Sequence, residues 1–136
     1  MNMQLTKAER INSKITISNI FSNGEAIFSY PYRMVYTVKP LGDNSIPTEI
    51  LISVSKKKFK NAVDRNAIKR LIRESYRINK KQLWDYCKEN NINLQFAIVY
   101  SNSKIEDFEF HNKAMIKLMK KFISKHQNQN PLELTI

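Results

Sequence analysis

A strongly basic segment at residues 56–81 constrains this chain more than any other stretch. It contains eleven Lys or Arg and two acids, which leaves +9 of the formal net charge of +11 carried by the whole chain. From Asn61 its composition is helical, and a rotation of about 100° per residue sorts the side chains onto two faces. One face collects a basic row with an asparagine beside it: Arg65, Asn66, Lys69, Arg70, Arg73 and Arg77.

The opposite face of this predicted helix is apolar. It carries Ile68, Leu71, Ile72 and Ile78, with Tyr76 at the border. The pattern predicts a helix that packs on a core and presents cations at intervals of roughly 6 Å. A solvated face normally mixes signs, so that Glu pairs with Lys at i, i+4. Because one sign dominates here, the cations repel one another, and a nucleic-acid strand would relieve that repulsion.

Length and composition predict one domain at residues 1–127, followed by a flexible tail at 128–136. The net charge of +11 predicts attraction to nucleic acid or to an anionic membrane surface. No apolar run approaches the length of about 20 residues that spans a bilayer. The first twenty residues lack the apolar region of a signal peptide. Cys87 is the only cysteine, which fits a reducing setting, so we expect a cytoplasmic protein.

The N-terminal half predicts short helices and strands. Residues 6–9 have capping-box spacing, which predicts a helical turn. Residues 15–21 fit either a strand or a helix, because the apolar residues match both periods. Residues 26–38 are aromatic and β-branched, and Pro31 divides them into a short edge strand and a longer strand. Residues 49–54 are apolar enough for an inner strand.

Beyond the basic helix, the pattern predicts a second short helix at 83–91 and a strand at 94–100. A final amphipathic helix follows Glu106 and Asp107, whose charges suit a helix N-terminus. The order of strand, basic helix and strand predicts α/β packing on a single sheet. If the two strands are parallel, the default crossover is right-handed.

Candidate catalytic residues are sparse. His111 lies on the apolar face of the final helix without a second ligand at i+4, and acids near residue 107 fit a cap better than a catalytic pair. The chain has two glycines and no phosphate-binding glycine loop. No His, Cys or Asp cluster has metal-ligand spacing. The sequence therefore favours binding over catalysis by protein side chains.

The basic segment resembles the signature of bacterial ribonuclease P protein components. In that family a strand ending in S-V-x-K-K precedes a basic loop and the pattern A-V-x-R-N-x-x-K-R-x-x-R-E. The matching residues are Ser53, Val54, Lys56, Lys57, Ala62, Val63, Arg65, Asn66, Lys69, Arg70, Arg73 and Glu74. A weaker resemblance extends over nearly the whole chain. Ala67 departs from the family, which often has Arg there, and Ile17 stands where Phe is frequent.

The resemblance implies an α+β sandwich like a ribosomal-protein domain, with a mixed sheet of about four strands. It also implies a left-handed crossover around the basic helix and a helix at residues 13–22. The protein would be the small subunit of a ribonucleoprotein endoribonuclease that removes the 5′ leader from precursor tRNA. Its partners would be the ribonuclease P RNA subunit and precursor tRNA. The catalytic Mg²⁺ would be held mainly by the RNA.

Two surfaces carry over from the resemblance. The surface for the RNA subunit comprises Lys56, Lys57, Lys58, Lys60, Arg65, Asn66, Lys69, Arg70, Arg73 and Arg77. The cleft for the single-stranded leader comprises Arg10, Ile17, Phe21 and Tyr36, with the two aromatics placed to stack on bases. No catalytic residue and no metal ligand is expected on the protein.

Three other functions share some of these features. A structural or ribosomal RNA-binding protein would have the same charge and aromatic residues, and its RNA partner would distinguish it. A nuclease acting without RNA would need clustered acids or histidines. A membrane-surface helix fits least, because the apolar face of the basic helix is short and is needed for the sheet.

Overall fold

A computed structural model describes residues 4–128. Its elements, in order, are a 3₁₀ turn Lys7–Glu9, α1 Lys14–Asn23, β1 Glu25–Ser29, β2 Tyr32–Pro40, β3 Thr48–Val54, α2 Ala62–Glu89, β4 Ile92–Tyr100 and α3 Phe108–Asn128. These residues form one four-stranded sheet in the order β1-β2-β4-β3. The β1–β2 and β2–β4 pairs are antiparallel, whereas β3 and β4 are parallel and α2 connects them. The predicted α+β fold with a mixed sheet is confirmed.

The sheet has two unequal faces. Helices α2 and α3 cover one, called the closed face below, and its core runs from Tyr36 and Phe96 to Ile72 and Phe122. Helix α1 lies on the other, called the open face, over a small cluster. That cluster comprises Ile11, Ile20, Val35 and Ala97. Because side chains alternate along a strand, neighbouring residues of β2 serve different cores.

Residues 15–21, which fitted two periods, lie in helix α1. Ser13 caps it by accepting a hydrogen bond from the Thr16 amide at 3.4 Å. Ile20 is fully buried beneath it. Gly24 ends the helix at a point where a Cβ atom would lie 2.3 Å from the Ile20 carbonyl oxygen. The helix implied by the family resemblance is therefore confirmed, within a residue at each end.

Two predictions about the elements are wrong. Residues 49–54 were expected to form an inner strand, but β3 is an edge strand. Its free edge is partly covered by the N-terminal segment, since the Ile11 amide donates to the Ile50 carbonyl at 3.0 Å. The separate helix expected at 83–91 is the end of α2, which is continuous over 28 residues. Buried Leu83 and Cys87 continue its apolar face, and no Gly or Pro interrupts it.

Two residues at the edge of the predicted apolar face of α2 also differ. Tyr76, expected at the border, is fully buried, and its hydroxyl forms a 2.6 Å hydrogen bond with Thr48. Ile78, expected in the core, is 41% exposed.

A buried ion pair ties the N-terminal turn to α2. Lys80 belongs to the basic segment by sequence, yet it is fully buried. Its Nζ donates to Glu9 Oε1 at 2.9 Å and to the Gln4 carbonyl at 2.6 Å. The backbone amide of Thr6 donates to the other carboxylate oxygen of Glu9 at 2.7 Å, which confirms the predicted helical turn. This pair removes one cation from the surface and anchors the residues that lead to Arg10.

The predicted tail and the possibility of a membrane-spanning helix concern the ends and the long helices of the described segment. The predicted tail begins at Asn128, which is the last residue of α3, and residues 129–136 lie outside the described part. Between residues 4 and 128, none of the helices combines the length and the apolar composition needed to cross a membrane.

Candidate nucleic-acid interface

The loop at residues 55–61 connects β3 to the basic helix and is held in shape by local contacts. Ser55 Oγ accepts hydrogen bonds from the amides of Lys57 and Lys58, at 3.1 and 3.4 Å. Phe59 is buried against the ring of Tyr100, with the centroids 6.1 Å apart. These anchors hold the loop to the fold, so the predicted cations of the loop project from a fixed base.

The four loop lysines are exposed, but they are not equivalent. Lys58 Nζ donates to the Ser101 carbonyl oxygen at 2.9 Å, which links the loop to the end of β4. No hydrogen bond or ion pair of the side chain is found for Lys56, Lys57 or Lys60 within residues 4–128. Three ammonium groups therefore remain for an anionic partner.

Arg65 braces the loop. Its guanidinium Nη1 donates to the carbonyl oxygens of Phe59 and Lys60, at 2.8 and 2.9 Å. The predicted role as a simple phosphate ligand therefore needs a correction, because two of its hydrogen bonds hold the backbone. Arg65 still contributes positive charge at the start of α2, and it orders the lysines that precede it.

The middle of the predicted row matches the expected surface. Asn66 and Arg70 are exposed, and Lys69 and Arg73 are half-buried on the same side of α2. Asp64 and Glu74 are the two acids in this part of the helix, and neither forms an ion pair with these three cations. The row is therefore available to phosphate groups, for which Arg offers two parallel donors.

Arg10 joins this row and does not lie in the predicted leader cleft. Its backbone pairs with Ile50, a residue of the closed-face core, so its side chain lies on the α2 side of the sheet. With Lys69 and Arg73 it lines a cleft of about 140 Å³ at the β3 edge. Burial and the nearby charge of Arg10 lower the pKa of the Arg73 guanidinium. Three cations that line one small cleft have the geometry of an anion site.

Arg77 differs from the other cations of the row because it has an acidic partner. It forms a salt bridge with Glu74, with Nη2 and Oε1 2.5 Å apart, and its hydrogen bond lowers the pKa of that carboxyl group. Its charge is partly compensated by Glu74 in an exposed ion pair, and the prediction that Arg77 serves the RNA surface stays a prediction. The i, i+3 spacing to Glu74 was the signal in the sequence that could have shown this.

On the open face, the first helix presents an aromatic residue as predicted. Phe21 is 44% exposed, and Ile17 is half-buried against the small cluster beneath α1. Two residues that sequence reasoning missed lie on the same face. Phe28 and Arg33 stand directly opposite each other on β1 and β2, and both are exposed. Arg33 lies two residues before Val35 on β2 and therefore faces the same side, and Phe28 is paired with Arg33. This alternation was the signal that could have identified both residues.

Tyr36 is a wrong prediction for the leader cleft. It lies on the closed face, 3% exposed, with its ring edge-on to Phe122 at 5.0 Å between centroids. Its hydroxyl donates to Glu25 at 2.9 Å. The ring is enclosed between β2 and α3, so it cannot stack on a base. Its neighbour Val35 points to the open face instead.

Groups that could act chemically are buried or isolated. Burial raises the pKa of the Cys87 thiol to about 12, which makes it a poor nucleophile. His111 is fully buried and hydrogen-bonded to the Tyr32 hydroxyl at 2.5 Å. A search of residues 4–128 found no group of three or more His, Cys, Asp or Glu placed to hold a metal ion. What the surface offers is charge and aromatic area.

Comparison with solved structures agrees with this fold. The RNase P protein of Staphylococcus aureus superimposes with a TM-score of 0.64 at 23% identity, covering 84% of this chain and 94% of that one. The RNase P protein of Thermotoga maritima gives 0.63 at 19% identity, covering 83% and 96%. At these identities the similarity concerns the fold alone.

Sequence comparison identifies the family as well as the fold. The ribonuclease P protein component of Porphyromonas gingivalis is 38% identical over 115 residues, which cover 83% of this chain and 82% of the relative. The component of Chlorobium phaeobacteroides is 32% identical over 124 residues, or 85% of each. Residues 5–124 match the family described as Ribonuclease P. This chain therefore belongs to the ribonuclease P protein family.

Proposed function

We propose that this chain is the protein subunit of ribonuclease P. In this role it binds the catalytic RNA subunit and the 5′ leader of precursor tRNA, and it supports endonucleolytic maturation of the tRNA 5′ end. Family membership supports the role. The observation that carries the proposal is the surface formed by Arg10, Lys69, Arg70 and Arg73, where cations converge without a paired carboxylate.

The α2 surface is the proposed contact with the RNA subunit. Each phosphate that a cation neutralises releases a condensed counterion, so affinity falls as salt rises. The three free lysines of the loop extend the surface beyond the helix. Lys supplies point charge, whereas Arg70 and Arg73 can hold phosphate oxygens with two donors each.

The open face is the proposed contact with the leader. Phe21 from α1 and Phe28 from β1 offer exposed rings, and Arg33 places a cation beside Phe28. Stacking of a base on an aromatic side chain contributes about 1–3 kcal/mol and tolerates different bases. This composition fits a leader whose sequence varies from one tRNA to another.

These two contacts give the RNA subunit and the protein different roles. The catalytic Mg²⁺ ions are held mainly by the RNA subunit in this proposal. The protein's side chains neutralise phosphates, which lets two polyanions approach each other at low Mg²⁺. They also hold the leader by stacking.

Reconstitution with the matching RNA subunit tests the function. Leader removal at low Mg²⁺ should depend on the protein, and the protein without RNA should not cut precursor tRNA. Equal cleavage rates with and without the protein would reject the role. Recovery of ribosomal RNA in place of ribonuclease P RNA in a pull-down would support a structural RNA-binding protein instead.

Arg70→Ala tests the α2 surface specifically. Arg70 is exposed and has no partner on the protein within the described residues, so the fold should remain intact. The affinity for the RNA subunit should fall by about 1–3 kcal/mol, and the salt slope should drop by about 1. Arg77→Ala is the matched control, because Glu74 already compensates that charge. An equal loss in both variants would show that net charge alone matters.

A further inference from the structure

Helix α3 carries a second cationic row that the family resemblance does not use. Lys113, Lys117, Lys121 and Lys125 follow one another at i, i+4. Helix α3 packs on β1, whereas α2 packs on β3, so the two rows lie toward opposite edges of the sheet. At a strand spacing of about 4.8 Å, these edges are roughly 14 Å apart.

Two of these lysines have a structural role. Lys121 Nζ donates to the Phe28 carbonyl oxygen at 2.5 Å, and Lys125 Nζ donates to the Ala26 carbonyl at 3.3 Å. Both oxygens belong to the edge strand β1, and capping them discourages pairing with another chain. This role explains the C-terminal half of the row but leaves the N-terminal half without a function.

The other two lysines are available to a ligand. Lys113 lies 3.2 Å from Glu109 in an ion pair whose side chains are both more than 70% exposed, and such pairs contribute little. Lys117 is exposed and has neither a hydrogen bond nor an ion pair with any residue of the described range.

An exposed aromatic cleft lies beside them. Tyr30, in the turn between β1 and β2, is 59% exposed. It meets Phe110 in a T-shaped contact, with centroids 6.4 Å apart and an interplanar angle of 86°. A T-shaped pair covers at most one of its four ring faces, so ring surface remains for stacking. Tyr30 and Phe110 line a cleft of about 450 Å³ with Lys113, Lys117 and Ile116. That volume is within the range of about 300–1,000 Å³ typical of small-ligand sites.

We propose that this cleft and the adjoining lysines form a second RNA-binding surface. One unpaired base stacks on the Tyr30 or Phe110 ring, and the flanking phosphates contact Lys113 and Lys117. Exposed rings beside exposed cations are the combination that single-strand binders use. An acidic peptide would satisfy the lysines but would leave the aromatic cleft empty. The proposal goes beyond the α2 and open-face contacts, because it uses neither of them.

Site-resolved crosslinking tests this surface on the full chain. The probe is a single-stranded uridine RNA of about eight nucleotides that carries 4-thiouridine. Fragmentation of the crosslinked peptides in the mass spectrometer identifies the modified residue itself, so Tyr30 and α3 are distinguished from Phe21 and Phe28 of the open face in one experiment. A missing crosslink on α3 would leave the open-face contact of the proposed function unaffected.

We expect a crosslink to the segment containing Tyr30 or to the start of α3. Tyr30→Ser should weaken RNA binding at this surface about 5- to 100-fold, through loss of stacking. Lys117→Gln should also reduce the yield, and its salt dependence should become shallower by about 0.7 in slope. Tyr30→Trp retains a ring and should retain the crosslink. Lys88→Gln is the charge-matched control at the far end of α2 and should change nothing here.

Three results would overturn the proposal. The first is a wild-type protein that crosslinks on the open face or on α2 but not on α3. The second is an unchanged α3 yield in both Tyr30→Ser and Lys117→Gln. The third is displacement of the RNA by polyglutamate of equal charge, which would show that the lysines bind any polyanion and that the rings take no part. Tyr30 and Lys117 are exposed, so these variants should fold, and urea unfolding checks that they do.

Discussion

The two faces of the sheet carry similar residue types and differ in what covers them. On the closed face, two long helices bury the rings of Tyr36 and Phe122 almost completely, so neither ring is open to solvent. On the open face, a single short helix packs over a small apolar cluster that includes its own Ile20, and it leaves Phe21 and Phe28 about half exposed. Aromatic residues therefore stabilise the fold on one face and stay exposed to solvent on the other, where we propose that they bind RNA. For residues on the strands, the alternation of side chains decides the face.

The largest expected difference between the faces is in stability. Phe122→Ala should lower the free energy of unfolding by about 3–5 kcal/mol, because it opens a cavity in the closed core. Phe28→Ala deletes the same ring from the open face and should lower it by less than about 1 kcal/mol, since the side chain is already solvated. Urea unfolding of both variants measures the difference.

RNA binding should show the opposite order for these variants. Folded Phe122→Ala should retain its affinity for a single-stranded leader RNA, whereas Phe28→Ala should lose part of it. If Phe28→Ala destabilised the protein as much as Phe122→Ala, the open face would be a second structural core. The comparison between the faces would then fail.

The sequence predicted most of the fold because its strongest signals are local. The helical period of α2, the spacing of its cations and the apolar stripe of α3 all survive in the structure. One error is local, because the helix expected after Lys81 is a continuation of α2, and the other concerns long-range arrangement. Residues 49–54 are apolar on both sides, which suits an inner strand, but the N-terminal segment partly covers β3 at the sheet edge. A contact between segments about 40 residues apart leaves no periodic signal.

The candidate site was predicted less completely than the fold. Spacing placed Lys69, Arg70 and Arg73 correctly on one side of α2. The i, i+3 spacing of Arg77 and Glu74 indicated a local ion pair, but spacing cannot indicate a partner that is distant in the sequence. Lys80 meets Glu9, a residue 71 positions away in the sequence, and this contact depends on the folded chain. Tyr36 was assigned from the family resemblance, and the alternation of β2 shows which face it occupies only once the strand register is known.

A smaller difference between the faces should appear in leader binding. Phe21→Ala should weaken binding of a single-stranded leader by about 1–3 kcal/mol, because the exposed ring no longer stacks. Tyr36→Phe should leave leader affinity unchanged. It removes a 2.9 Å hydrogen bond to Glu25, so it should lower stability by about 0.5–1.5 kcal/mol. Fluorescence anisotropy with a labelled leader and urea unfolding give the two quantities.

The Tyr36 variants test most directly whether the closed face takes part in leader binding. If Tyr36→Phe or Tyr36→Leu weakened leader binding while the protein remained folded, α3 would have to move away and expose the ring. If Phe21→Ala had no effect on binding, the role of α1 would be packing alone, and the leader would need another surface.

The smallest expected effect is a pH dependence that arises on the closed face. Burial lowers the pKa of His111, and the nearby Asp107 opposes this shift only in part. The Tyr32 hydroxyl contacts Nδ1, and Nε2 has no hydrogen-bond partner among residues 4–128. A protonated imidazole would therefore bury a charge beside Tyr32 and Tyr100 without compensation.

The sign of the effect follows from proton linkage. The unfolded chain protonates His111 below a pKa of about 6.5, whereas the folded protein resists protonation until lower pH. Stability should therefore fall by up to about 1.4 kcal/mol between about pH 7.5 and 5.5. His111→Gln should flatten this part of the profile. A profile that stayed steep in His111→Gln would assign the loss to another group and would leave the closed face without a titrating residue.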